Sequence, residues 1–148
     1  MKKARIINSF KIQFVAKSSN EAFSRSVISA FASQLDPTIE ELCDIKTAVS
    51  EAVTNCIVHA YGTERAETKR TVTLQGFYDE NNLLTVKIKD RGCGIDDVKR
   101  AMEPLYTTGN DERSGMGFSI MESFTDKLIV KSTEGKGTTV ILKKYIGK

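Results

Sequence analysis

Residues 113–121 read "RSGMGFSIM": two glycines bracket a methionine, an arginine stands just ahead, and an apolar segment follows. A glycine pair here is either a bend or a helix start whose bare N–H groups and dipole favour an anion such as a phosphate. Short glycine patterns recur by chance, so the stretch does not decide by itself. Downstream, Gly117 to about Phe124 has helical character. Upstream, residues 103–114, "EPLYTTGNDERS", form the longest polar, turn-rich segment, which inside a compact domain is a functional loop or a disordered one.

Composition narrows the choice. The 148 residues are 40% apolar and 28% charged, as in one soluble globular domain, here residues 1–148, long enough to bury a core. A net charge of +3 gives no case for direct nucleic-acid binding, which calls for a concentrated basic patch. The three cysteines, Cys43, Cys56 and Cys93, fit neither a disulfide framework nor a zinc site, and point to a reducing cytosol. The opening "MKKARIINSFKIQF" is basic like a secretory signal, but Asn8, Ser9, Lys11 and Gln13 interrupt any apolar region. No stretch reaches transmembrane length, so a cytoplasmic protein without a membrane partner is expected.

Working outward, Phe10, Ile12 and Phe14 mark a strand with one mostly buried face. Ser18 and Glu21 have capping-box spacing, and Phe23, Val27, Phe31 and Leu35 then make one apolar helical stripe. Arg25, two residues of about 100° each beyond Phe23, is expected to face solvent or a partner. The helix stops at Asp36-Pro37. Thr38 and Glu41 repeat the capping-box pattern before a long helix, with Ile39, Leu42, Ile45, Val49, Ala52, Val53 and Cys56 toward the core and an end near a left-handed cap at Gly62. After the polar loop "GTERAETKR", "TVTLQGFY" and "LLTVKIKD" flank "DENN" as an antiparallel hairpin. A turn at "DRGCGI" leads to a short helix around Asp96 to Met102. "DKLIVKS", "TEGKG" and "TTVILKK" close the chain as a second hairpin. The expected class is α+β in two layers, three main helices on one face of a mainly antiparallel sheet.

Three features carry possible chemistry. Glu51, Asn55 and His59, at i, i+4 and i+8, share one stripe on the edge of the long helix's apolar face. The stripe reads as a solvated polar edge, or as a glutamate acting on a hydroxyl beside an asparagine oxygen suited to Mg²⁺. Asp90 ends an apolar strand and is followed by Gly92 and Gly94. It reads as a turn cap, or as a buried carboxylate accepting from adenine's amine, with the glycines giving room for a flat base. Gly115 and Gly117 suit a phosphate chain, Arg113 a terminal phosphate, and Thr107 and Thr108 offer hydroxyls.

In combination these motifs become specific. "EAVTN" at 51–55 resembles the N box of the GHKL ATPase and kinase superfamily, "DRGCG" at 90–94 its G1 box, "SGMGF" at 114–118 its G2 box, and "GKGTTV" at 135–140 its last motif. "SEAVTN", "PLYTT", "ERSGMGFSIM" and "KGTTV" closely resemble the sporulation anti-sigma F factors of endospore-forming bacteria, from about Phe10 to Lys144. The resemblance implies a Bergerat-type nucleotide-binding fold, ATP or ADP with Mg²⁺, and a homodimer. It also implies a serine kinase that inhibits the sigma F subunit of RNA polymerase and phosphorylates an anti-anti-sigma factor. By position, Asn55 would coordinate Mg²⁺ and Glu51 would act on the attacking hydroxyl. Asp90, Gly92, Gly94 and Thr138 would lie at the base. Ser114, Gly115 and Gly117, with Thr107 and Thr108, would serve the phosphates. Arg113 would reach the γ-phosphate or a docked partner, and Arg25 would contact partners.

The segment 62–71 and the cysteines at 56 and 93 depart from typical members. A stress-type anti-sigma B kinase, or a nucleotide-dependent binding module without kinase activity, are the neighbouring readings. The chain shows no phosphoacceptor-histidine helix, and is far shorter than a topoisomerase or chaperone ATPase.

Overall fold

The computed structural model describes residues 3–61, 66–95, 98–102 and 117–147. Strand β1 (Ile6–Val15) leads into helix α1 (Ser19–Ala32), a 3₁₀ turn (Ser33–Leu35) and helix α2 (Ile39–Asn55), which continues as a π-helical turn over Cys56–Ala60. A 3₁₀ turn (Glu67–Lys69) precedes the hairpin of β2 (Thr71–Asp79) and β3 (Leu83–Asp90). The short helix α3 (Val98–Ala101), helix α4 (Gly117–Phe124) and the hairpin of β4 (Lys127–Thr133) and β5 (Gly137–Tyr145) complete the order. The expected element types are all present among the described residues.

The strands form one antiparallel sheet in the order β1-β2-β3-β5-β4. β5 therefore lies between β3 and its own hairpin partner, with Lys89 opposite Thr139. Alternation decides the faces. Val72 and Leu74 of β2, Leu84, Val86 and Ile88 of β3, and Leu142 of β5 are wholly buried beneath α1, α2 and α4. On α2, Ile45, Ala48, Val49, Ala52 and Val53 meet them. Phe31 joins Phe10 edge-on at 4.7 Å and Tyr78 at 5.3 Å, tying α1 to β1 and β2. Lys87 Nζ lies 5.6 Å from the Phe77 ring centroid. No helix among the described residues is long and apolar enough to cross a membrane.

Three expectations change. The Thr38–Glu41 capping box forms with both bonds, at 3.0 and 2.9 Å, but the Ser18–Glu21 box does not. Ser18 already has helical angles (φ −57°, ψ −34°), and the Glu21 carboxylate is instead engaged by the Ser50 hydroxyl and by Arg25. The buried face of α1 runs through Ser24, Ile28, Phe31 and Ala32, one residue round from the expected stripe, so Phe23 is 49% exposed while its ring edge meets Phe14. Ser24 tolerates burial because its hydroxyl donates to the Glu21 carbonyl at 2.6 Å, which removes the cost that marks serine as a surface residue. Ile39 is 83% exposed, because it starts the helix ahead of the region that packs on the sheet. The helical run of α2 and its π turn ends at Ala60 with Tyr61 extended, close to the expected end, and the cap expected at Gly62 lies outside the described residues.

Candidate functional site

On α2 the i, i+4 spacing places Glu51 and Asn55 on one stripe, as expected. Glu51 is 7% exposed, unusual for a glutamate, and Asn55 is half-buried. The start of α4 is seated against both. A Cβ added to Gly117 would stand 3.3 Å from each amide atom of Asn55 and 3.6 Å from Glu51 Oε2. The absence of a side chain thus brings the first turn of α4 onto the α2 polar stripe. Thr107, Thr108, Arg113, Ser114 and Gly115 lie outside the described residues.

The second half of the site is the end of β3. The Asp90 carboxylate is buried, yet each oxygen has a partner. Oδ1 accepts the Gly92 N–H at 2.9 Å and the Thr138 N–H at 3.2 Å, and Oδ2 accepts the Cys56 thiol at 3.5 Å. Burial pushes the Asp90 carboxyl up from its ordinary value, and the bonds from Gly92, Cys56 and Thr138 pull it part of the way back. Burial, with the Asp90 charge beside it, raises the Cys56 thiol well above its usual range, so it stays protonated as a donor. Asp90 is thereby linked to α2 through Cys56 and to β5 through Thr138.

The two glycines after Asp90 meet the chain's own backbone. A Cβ on Gly92 would fall 1.9 Å from the Ala60 carbonyl oxygen, and the next N–H, of Cys93, donates to that oxygen at 2.7 Å. Gly94 has φ +73° and faces the Thr133 carbonyl, where a Cβ would be 2.2 Å away. These contacts lock the turn between the end of α2 and the β4–β5 hairpin. The pattern of the sequence alone does not reveal which backbone passes close to these glycines.

Other residues escaped the sequence reading. Ser132 binds Ile95, Gly137 and Thr138 through one hydroxyl. Tyr61 accepts the Arg91 N–H at 2.7 Å and donates to the Thr71 carbonyl at 2.6 Å, bracing the same turn. A serine in a strand and a tyrosine after a helix carry no distinguishing local pattern. Arg25 is exposed as expected, its Nε 2.9 Å from Glu21 Oε1, and Glu21 in turn engages Ser50 next to Glu51.

Comparison with known proteins shows the family. Residues 14–144 match the family described as histidine kinase-like ATPase domain. The anti-sigma F factor of Caldanaerobacter subterraneus subsp. tengcongensis is 53% identical over 142 residues, covering 95% of this chain and 96% of the relative. Among solved structures, the RsbU and RsbW domains of a Mycobacterium tuberculosis protein superpose with TM-score 0.70 at 16% identity, over 95% of this chain and 33% of that one. The SiaB–SiaC complex of Pseudomonas aeruginosa gives TM-score 0.67 at 13% identity, over 95% and 90%. At these identities the two structures speak for the fold alone. An α+β sheet of this order, the Glu51–Asn55 stripe under Gly117, the buried Asp90 and end-to-end identity above one half converge: the chain belongs to the anti-sigma F factors and carries a histidine kinase-like ATPase domain.

Proposed function

We propose that this anti-sigma F factor binds and inhibits its sigma factor and is also an ATP-dependent protein serine kinase for the cognate anti-anti-sigma factor. Residues 1–148 act as one nucleotide-binding unit, in the cytoplasm and as a homodimer. The observation that carries the reading is the seating of Gly117 against Asn55 and Glu51. It places a buried carboxylate, a hard oxygen ligand and a helix N-terminus at one point, the set a phosphoryl-transfer site needs.

The described residues fit a nucleotide with Mg²⁺. Asp90 Oδ2 has acceptor capacity beyond its one thiol bond, which suits the amino edge of adenine. Asn55 would offer its side-chain carbonyl oxygen to the metal, a hard ligand of the kind Mg²⁺ takes. Gly92 and Gly94 shape the turn that presents Asp90, and Thr138 is held to it. The roles of Thr107, Thr108, Arg113, Ser114 and Gly115 at the phosphates, and of Arg25 and Arg113 toward protein partners, rest on the sequence. ATP would supply the phosphoryl group, and Mg²⁺ held at Asn55 would supply neutralising charge. Glu51 orients the substrate serine hydroxyl and takes its proton.

Purified protein is mixed with Mg²⁺, γ-labelled ATP and the anti-anti-sigma factor of the same genome, and label is expected on a serine. Glu51→Gln is expected to retain ATP binding and lose transfer by about 10²-fold or more, the usual contribution of a general base. Full transfer in that variant removes Glu51 from the mechanism. Tight ATP binding without label in the wild type leaves a nucleotide-dependent binding module.

A further inference from the structure

The net charge of +3 is scattered through the sequence, but the fold gathers lysines on one surface. Helices cover one face of the sheet, and strand alternation turns the other outward. Register places Lys11 of β1, Lys87 and Lys89 of β3, Lys143 of β5, and Lys127 and Lys131 of β4 on that outer face. The only carboxylate that the described strands place there is Asp79, at one margin, which accepts the N–H groups of Asn81 and Leu83. None of the six lysines forms an ion pair with another described residue. Lys127 and Lys143 stand directly opposite each other, an arrangement that costs stability between like charges. Two aromatic rings share the face. Phe77 is half-buried with Lys87 Nζ 5.6 Å from its centroid, and Tyr145 is 44% exposed.

We propose that this face binds single-stranded nucleic acid, with its lysines along the phosphates and its rings against the bases. Charge excludes a second copy of the chain as the occupant, since two such faces repel. Width excludes the groove of a duplex. Five strands at about 4.8 Å span about 19 Å, whereas the major groove is about 12 Å wide and admits a two-stranded ribbon. An acidic peptide would be matched by arginine, which grips a carboxylate with two parallel bonds, and the strands carry no arginine. Lysine meets a phosphate as a point charge, which suits a flexible backbone with no fixed geometry. An unpaired strand also bares its bases to Phe77 and Tyr145, contacts that tolerate any sequence. The face lies across the sheet from α2 and α4, so it is separate from Glu51, Asn55 and Gly117.

The test is fluorescence anisotropy of a labelled thymidine oligonucleotide of about 20 residues, longer than one site, with the full-length protein. Binding is measured between about 50 and 200 mM salt. The logarithm of the affinity is expected to fall against that of salt with a slope of about −4, about 0.7 for each of the six lysines. The triple variant Lys87→Gln, Lys127→Gln, Lys143→Gln is expected to lose about tenfold or more in affinity and about 2 from that slope, with ADP binding unchanged. Removing the opposed Lys127 and Lys143 charges also raises its denaturation midpoint at low salt, which separates lost binding from lost folding. Tyr145→Leu is expected to weaken binding about fivefold or more at an unchanged slope, the scale of one stacked base. A wild type that does not bind, or a triple variant with wild-type affinity and slope, overturns the proposal. Poly-glutamate of equal charge that competes as well as the unlabelled oligonucleotide also overturns it, and makes the partner an acidic protein. A Tyr145→Leu protein that binds as the wild type does overturns the single-strand assignment, because the face then attracts any polyanion.

Discussion

At 5% exposure the Asp90 carboxylate has lost nearly all its water, and the N–H groups of Gly92 and Thr138 with the Cys56 thiol stand in for it. Burial outweighs those bonds, so the folded protein binds the Asp90 proton more tightly than the unfolded chain does. The sign follows. This group adds stability as the pH falls through its raised folded value toward the ordinary value of about 3.9, and subtracts from it at neutral pH, where the carboxylate is ionised. Asp90→Asn keeps an oxygen for the two N–H donors and turns its amide toward Cys56. In urea unfolding without nucleotide, it is expected to match or exceed wild-type stability at pH 7, the advantage shrinking toward pH 4. A lower midpoint than wild type at pH 7 would show that the bonds to the ionised carboxylate outweigh its burial.

At the scale of elements, the two capping-box patterns have the same spacing and different fates. Thr38 and Glu41 close theirs because Thr38 has extended backbone (φ −68°, ψ 162°), leaving its hydroxyl free to accept the Glu41 N–H. Thr38→Ala is expected to lower unfolding free energy by about 1 kcal/mol in a denaturant titration. An unchanged midpoint would mean that α2 is held by its packing alone. Glu41 does more than cap: its carboxylate also accepts the Gly147 N–H, at 3.2 and 3.1 Å, fastening the C-terminal end of the chain to the start of α2. The Thr38 N–H, foremost, with Gly147 and Lys144, holds the Glu41 carboxyl below its ordinary value against the opposing effect of burial. Spacing within one helix start is visible in sequence. Whether the preceding residue is extended, and who else claims the carboxylate, is not.

At the scale of the whole molecule, the site exists because β5 inserts between β3 and β4. That order sets Thr138 against Asp90, while the turn after β3 is pressed onto the end of the long helix at Ala60. Gly92→Ala would drive a methyl into the Ala60 carbonyl, 1.9 Å away, and backbone cannot swing aside as a side chain does. The expected cost is about 2 kcal/mol or more, the range of overpacked interiors, read as a fall in denaturation midpoint together with weaker ADP binding. Near-normal stability in this variant would show that the helix end and the turn are not held as tightly as described.

What the sequence determined by itself was the kind and order of the elements, the stripe of Glu51 and Asn55, and Asp90 at a strand end. These are local matters, governed by helical and strand periods and by capping chemistry within a few residues. Tertiary structure alone decided which side of α1 is buried, since Ser24 is apolar in effect only once its hydroxyl has found the Glu21 carbonyl. It also decided that Gly92 and Gly94 make room for the protein's own backbone, and that Gly117 meets Asn55. Close approaches of this kind join segments distant in the chain. They depend on sheet order and packing, and no periodicity in the residues records them.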